Sequence, residues 1–149
     1  MDNELNELYQ QVILDHSRKP RHFHILPEAD RAAEGNNPLC GDRYTVYLKL
    51  EGEVIRDISF QGSGCAISKA SASMMADALK GKTIADARRT FSEYQNMVTT
   101  GKMDEEAMGK LAAFAGVSHF PMRVKCAILP WHAMLAGLDG QTSASTEVH

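Results

Sequence analysis

Gln61-Gly-Ser-Gly-Cys-Ala-Ile-Ser-Lys-Ala-Ser-Ala-Ser-Met-Met75 changes period in mid-stretch. Before it, Val54-Ile-Arg-Asp-Ile-Ser-Phe60 reads as a strand with apolar side chains at Val54, Ile58 and Phe60. After it, Ile67, Ala70, Met74 and Ala78 recur at helical spacing and Gly81 is a stop. The turn Gly62-Ser63-Gly64-Cys65 therefore delivers a cysteine to a helix N-terminus. Unpaired N–H groups and the positive end of the helix dipole favour a thiolate there. The glycines permit the sharp turn and leave room above the sulfur.

Working outward, Tyr44, Val46, Leu48 and Leu50 alternate with Arg43, Thr45, Tyr47 and Lys49, which is strand periodicity. Glu51-Gly52-Glu53 turns that strand into the next. A short edge piece near Arg31 to Glu34 would make a third strand. Upstream, Leu5, Leu8, Tyr9, Val12, Ile13 and His16 form one stripe, so residues 4 to 18 are expected as an amphipathic helix. Downstream, Thr83 caps a helix through Ile84, Ala87, Phe91, Tyr94 and Val98. Asp104 caps a shorter one through Ala107, Met108, Leu111 and Phe114. The last helix carries Val124, Ile128, Trp131, Leu135 and Leu138. Placing Pro130 in its first turn starts it near Ala127, with Cys126 at its mouth and off the buried stripe. Residues 140 to 149 are expected as a disordered tail.

The totals fit one domain: 149 residues, 44% hydrophobic and 23% charged. A net charge of -3 gives no electrostatic case for nucleic acid. No apolar run approaches a membrane span, and the polar N-terminus is unlike a signal peptide. Three cysteines are too few for a disulfide framework and point to a reducing, cytoplasmic setting with free or metal-bound thiols.

All three cysteines fall at element boundaries. Asp42 stands two residues from Cys40 across a glycine, so one turn can aim both at a common point. Three thiolates and a carboxylate make a tetrahedral donor set for Zn²⁺, and thiolates equally suit iron–sulfur chemistry. His16, His22 and His24 have no partners at ligand spacing and read as helix-end and loop residues. Two other chemistries fit parts of the pattern. Gly62 to Cys65 resembles a nucleophile turn, for which His119 or His132 would be the base. A structural zinc module for protein binding needs only the ligands.

Asn37-Pro38-Leu39-Cys40-Gly41-Asp42, Gly62-Ser63-Gly64-Cys65-Ala66-Ile67-Ser68 and Arg123-Val124-Lys125-Cys126-Ala127 resemble the three cysteine motifs of the IscU/SufU/NifU family of iron–sulfur cluster assembly proteins. Two features resemble the SufU type: Lys125 where IscU-type members carry histidine, and a long Cys65-to-Cys126 segment. The resemblance implies an α+β single domain (1–139), with a small antiparallel sheet of two to three strands and about five helices. It implies Zn²⁺ on Cys40, Asp42, Cys65 and Cys126, or iron and a transient [2Fe–2S] cluster on the same residues. It implies Cys40 as acceptor of persulfide sulfur from a PLP-dependent cysteine desulfurase of the SufS type, with downstream assembly proteins or apo-proteins as recipients. Arg123 and Lys125 flank Cys126 as candidates for steering an anionic persulfide.

Overall fold

In the computed structural model, which describes residues 3–38 and 41–145, the strands β1 (Arg31–Asn37), β2 (Asp42–Glu51) and β3 (Val54–Ser63) form an antiparallel meander. A fourth strand, β4 (Ser143–Ser145), pairs in parallel with β1, giving the order β3-β2-β1-β4. The sheet is thus mixed and has four strands, one more than the alternation announces. Serines and alanine carry no hydrophobic period, so β4 has no signature of its own; its place comes from backbone pairing to an open edge. Glu34 N–H donates to Thr142 O at 2.9 Å as the chain enters it. The ordered domain therefore runs past the expected limit at residue 139, and the first part of the expected tail is a strand.

Between Lys49 and Leu50 the β2–β3 register slips, pairing Lys49 with Asp57 and Leu50 with Ile55. One extra residue on β3 reverses the alternation. Ile55, Ile58 and Phe60 consequently all face the core, while Val54, expected inward, is exposed. The outer edge of β3 is covered rather than open: Phe60 N–H donates to His22 O, and Phe23 bridges to Phe60.

Five α-helices pack against this sheet: α1 (Asn3–Arg18), α2 (Ala66–Leu79), α3 (Ile84–Thr100), α4 (Glu105–Met108) and α5 (Pro121–Leu138). Thr83 caps α3 by accepting the Asp86 N–H at 3.0 Å, and Asp104 caps α4. The short helix expected after Asp104 is only one turn of α-helix, followed by a 3-10 run over Gly109–His119. Helices α2 and α5 occupy the centre, against β3 and against β1 and β2 respectively, and pack on each other.

Helix α5 corrects the expected boundary. It starts at Pro121, in its first turn, and Pro130 lies inside it. Pro121 is the residue whose missing N–H loses nothing. Pro130 is tolerated because the helix is buried nearly all round, from Cys126 to Leu138, and tertiary packing outweighs the lost bond. Burial on every side also means that Cys126, expected off the buried face, is itself buried.

Candidate metal centre

Three elements bring Asp42, Cys65 and Cys126 together. Asp42 opens β2, directly after the hairpin loop that follows β1; Gly41 N–H donates to Asn37 O at 2.8 Å to close that loop. Cys65 is the N-cap of α2, and Cys126 sits in the second turn of α5. The carboxylate oxygen and the two sulfurs all lie within 4.8 Å of one another. A tetrahedral site with arms of about 2.3 Å has edges of about 3.8 Å. Cys65 Sγ already lies 3.9 Å from Asp42 Oδ2. Two soft sulfurs and one hard oxygen fit zinc or iron and exclude Mg²⁺ and Ca²⁺. Cys40, expected as a fourth donor and two residues before Asp42 in the sequence, lies outside the described residues.

Hydrogen bonds fix each donor. The Cys65 N–H donates to Asp42 Oδ1 at 3.1 Å, leaving Oδ2 turned to the sulfurs. The Ser68 N–H donates to Cys65 Sγ at 3.5 Å, the capping bond of α2 made by a thiol instead of a hydroxyl. The Ser68 hydroxyl donates to Cys65 O and lies 3.0 Å from the Tyr44 hydroxyl, which burial pushes up to about 12. Gly64 makes this closeness possible. A Cβ there would sit 2.6 Å from both Asp42 Oδ1 and Ser68 Oγ. Gly62 is required for its backbone, at φ 142° against Tyr44.

The two thiols lie close together and shift each other in opposite directions. The hydrogen bond from Cys126 draws the Cys65 thiol below the usual range against its partial burial, with Ser68 helping. Cys126, beside the Cys65 sulfur and buried, is pushed up. Cys65 is exposed while Asp42 and Cys126 are buried, so the site has a floor and one accessible sulfur. Beside it, Asn36, Asn37, Pro38, Gly41 and Arg43 line an open cleft that reaches Asp42.

Arg123 is exposed in the first turn of α5, its guanidinium 4.7 Å from the Phe120 ring centre; Lys125 is half-buried next to Cys126. No histidine joins the centre among the described residues. His132 packs on Phe91, and His16 and His22 bond to Ser73 and Asp77. The nucleophile-and-base arrangement thus lacks its base among the described histidines. What periodicity and motif reading missed is the supporting layer of Tyr44 and Ser68. Its signal was present: Ser68, Ser71 and Ser73 interrupt an otherwise apolar helix, and buried hydroxyls must find partners.

A model of the NifU-like N-terminal domain matches residues 8–127. The zinc-dependent sulfurtransferase SufU of Bacillus subtilis (strain 168) is 42% identical over 135 residues, 90% of this chain and 91% of that one. The iron–sulfur cluster assembly scaffold protein IscU of Streptococcus pyogenes serotype M1 is 37% identical over 143 residues, 95% and 89% of the two chains. Among solved structures, one assigned as an iron–sulfur cluster assembly scaffold for the SUF system of Fervidobacterium islandicum AW-1 superposes with a TM-score of 0.82 at 35% identity. It covers 89% of this chain and 98% of that one. A NifU-like N-terminal protein from Brucella abortus gives 0.81 at 25% identity, covering 91% and 94%.

Proposed function

The chain belongs to the NifU-like N-terminal domain family of iron–sulfur cluster assembly proteins, and on that footing we propose that it accepts persulfide sulfur from a cysteine desulfurase and relays it. The observation that carries this reading is the three-donor cluster of Asp42, Cys65 and Cys126, with one exchangeable carboxylate; in the sequence Cys40 stands two residues before Asp42. Cys40 completes the set, and the four residues would hold Zn²⁺. Bound there, the ion keeps the thiols deprotonated and quiet.

Cys65 and Cys126 are built into helices and hold their places. Cys40, which follows Pro38 and Leu39 in the sequence between β1 and β2, is the thiol assigned to leave the metal. Its thiolate attacks the outer sulfur of the desulfurase persulfide; the new S–S bond forms on Cys40, and the enzyme's cysteine departs as the thiolate, with no external oxidant consumed. Arg123 and Lys125 supply positive charge near the incoming anion. The partner is a PLP-dependent desulfurase of the SufS type, and the recipients are downstream assembly proteins or apo-proteins, in the cytoplasm. No helix among the described residues is long and apolar enough to cross a membrane.

A second reading follows from the relative named as a scaffold: the same ligands carry a [2Fe–2S] cluster built on the protein and handed on. One experiment separates the two. After incubation with a desulfurase and cysteine, mass spectrometry should find a gain of about 32 Da, one sulfur atom, on the peptide bearing Cys40. Cys40→Ser should abolish it. Label on Cys65 or Cys126, surviving in Cys40→Ser, overturns the assignment. A cluster spectrum from cells without any sulfur label favours the scaffold.

A further inference from the structure

Deep in the core, below the donor cluster, the carbonyl of Ala127 receives two side-chain hydroxyls. Ser71 Oγ donates to it at 2.5 Å and the Tyr94 hydroxyl at 2.9 Å. Trp131 Nε1–H then donates to Ser71 Oγ at 3.1 Å, and the Tyr94 and Trp131 rings stack 4.4 Å apart. Ser71, Tyr94 and Trp131 are fully buried. Ser71 of α2 and Tyr94 of α3 thus meet on one backbone oxygen of α5, with Trp131 of α5 holding Ser71.

The location of that oxygen gives the cluster its meaning. Ala127 directly follows Cys126, and Pro130 lies three residues further on. Pro130 has no N–H for the Cys126 carbonyl, so this turn of α5 lacks one of its own hydrogen bonds. A turn short of one bond is held less firmly by the helix itself, and Cys126 lies on it. The next carbonyl is instead anchored from outside the helix by two fixed hydroxyls. Ser71 stands on the helix that Cys65 caps, so its bond to Ala127 is a direct strut between the two thiol-bearing helices.

Accepting the metal-binding reading above, we infer that Ser71 and Tyr94 are positioning residues for the Cys65–Cys126 pair: they hold the Pro130 turn of α5 in the one arrangement that brings the two sulfurs together. Neither touches a donor atom. Their effect on the centre passes through the peptide of Ala127.

The test needs a readout that ordinary core damage does not move. Tyr94→Phe removes one hydroxyl and keeps the ring stack; Val98→Ala, on the same helix, is a core truncation that removes none of these hydrogen bonds. Zinc affinity of the full chain is read by competition with a chromophoric chelator, and site geometry by the Co²⁺ absorption bands. Tyr94→Phe should weaken zinc binding about tenfold, the scale of losses from outer-shell partners, and alter the Co²⁺ bands. Ser71→Ala should do the same. Val98→Ala should lower the melting temperature yet leave both readouts unchanged. If Tyr94→Phe and Ser71→Ala also leave zinc affinity and Co²⁺ bands unchanged, the cluster is only a structural brace and the inference fails.

A second measurement judges the inference without a metal ion. In the Cys40→Ser background only Cys65 and Cys126 remain as thiols, and a trivalent arsenical such as phenylarsine oxide must bridge them. Tyr94→Phe in that background should weaken arsenical binding about tenfold or more; equal binding overturns the inference. A wild-type chain that binds the arsenical but no zinc refutes the metal reading alone.

Discussion

The backbone N–H of Cys65 donates to the side chain of Asp42, 3.1 Å away, so the cap of one helix and the start of a strand are tied by a candidate metal ligand. Asp42 thus has two duties, one for each oxygen. Asp42→Asn keeps an acceptor for the Cys65 N–H and loses the anionic donor; Asp42→Ala loses both. Zinc affinity should fall in both variants, by about tenfold or more. Melting temperature of the metal-free protein should fall mainly in Asp42→Ala, since only that variant loses the hydrogen bond to the Cys65 N–H, worth about 1 kcal/mol. Chelator competition and thermal unfolding of both variants separate the two duties.

Gly64→Ala places a methyl group 2.6 Å from Asp42 Oδ1 and from Ser68 Oγ. The Asp42 side chain and the first turn of α2 cannot both keep their positions. We expect roughly 1–3 kcal/mol of destabilisation, typical of overpacking, together with weaker zinc binding. Isothermal titration of the variant would show an unchanged affinity if the turn simply yields.

Acid should weaken the packing of α1. Burial first, then Arg21, holds the His16 imidazole below its ordinary value of about 6.5. Arg21 donates to Nε2 at 2.6 Å and Nδ1 contacts Ser73 Oγ at 2.7 Å, an arrangement that requires the neutral ring. Lys110 opposes protonation as well, while Asp77 and Asp15 favour it. The unfolded chain takes up the proton first, so stability is full above about pH 6.5 and is lost as pH falls towards the lower folded value. Urea unfolding at pH 7.5 and 5.5 should show the drop. In His16→Gln the starting stability should be lower and the drop smaller.

Truncation after Gly140 removes β4 and uncovers the β1 edge. A three-residue strand with no buried apolar side chain should contribute about 1 kcal/mol, which is a loss of about 3 °C in melting temperature. The bared edge should also promote concentration-dependent association, visible by light scattering. Zinc affinity should be unaffected.

Strands β2 and β3, the cap of α3 and the Cys65 turn are legible because each rests on local periodicity or local hydrogen bonding. Asp42, Cys65 and Cys126 are legible as motif residues, and the structure brings these three together. Other features resist local reading for physical reasons. Val54 and Ile55 exchange places because one bulge residue reverses the period. Pro130 argues against a helix interior until the packing of α5 on both sides is known. The buried serines of α2 look like weak helix residues, yet each answers a partner far along the chain: Ser68 meets Tyr44, Ser71 meets Ala127, and Ser73 meets His16. Their meaning is tertiary, and only the assembled fold reveals it.

Helix α5, which carries Cys126, is also the helix that packs against β1, β2 and α2. On a ribosome the chain emerges N-terminus first, so Asp42 and Cys65 appear well before it. Until residues 121–138 have emerged and docked, the nascent protein offers an incomplete donor set on an uncovered sheet. The three candidate donors therefore come together only once α5 has docked, and folding of α5 and assembly of the donor cluster are one event.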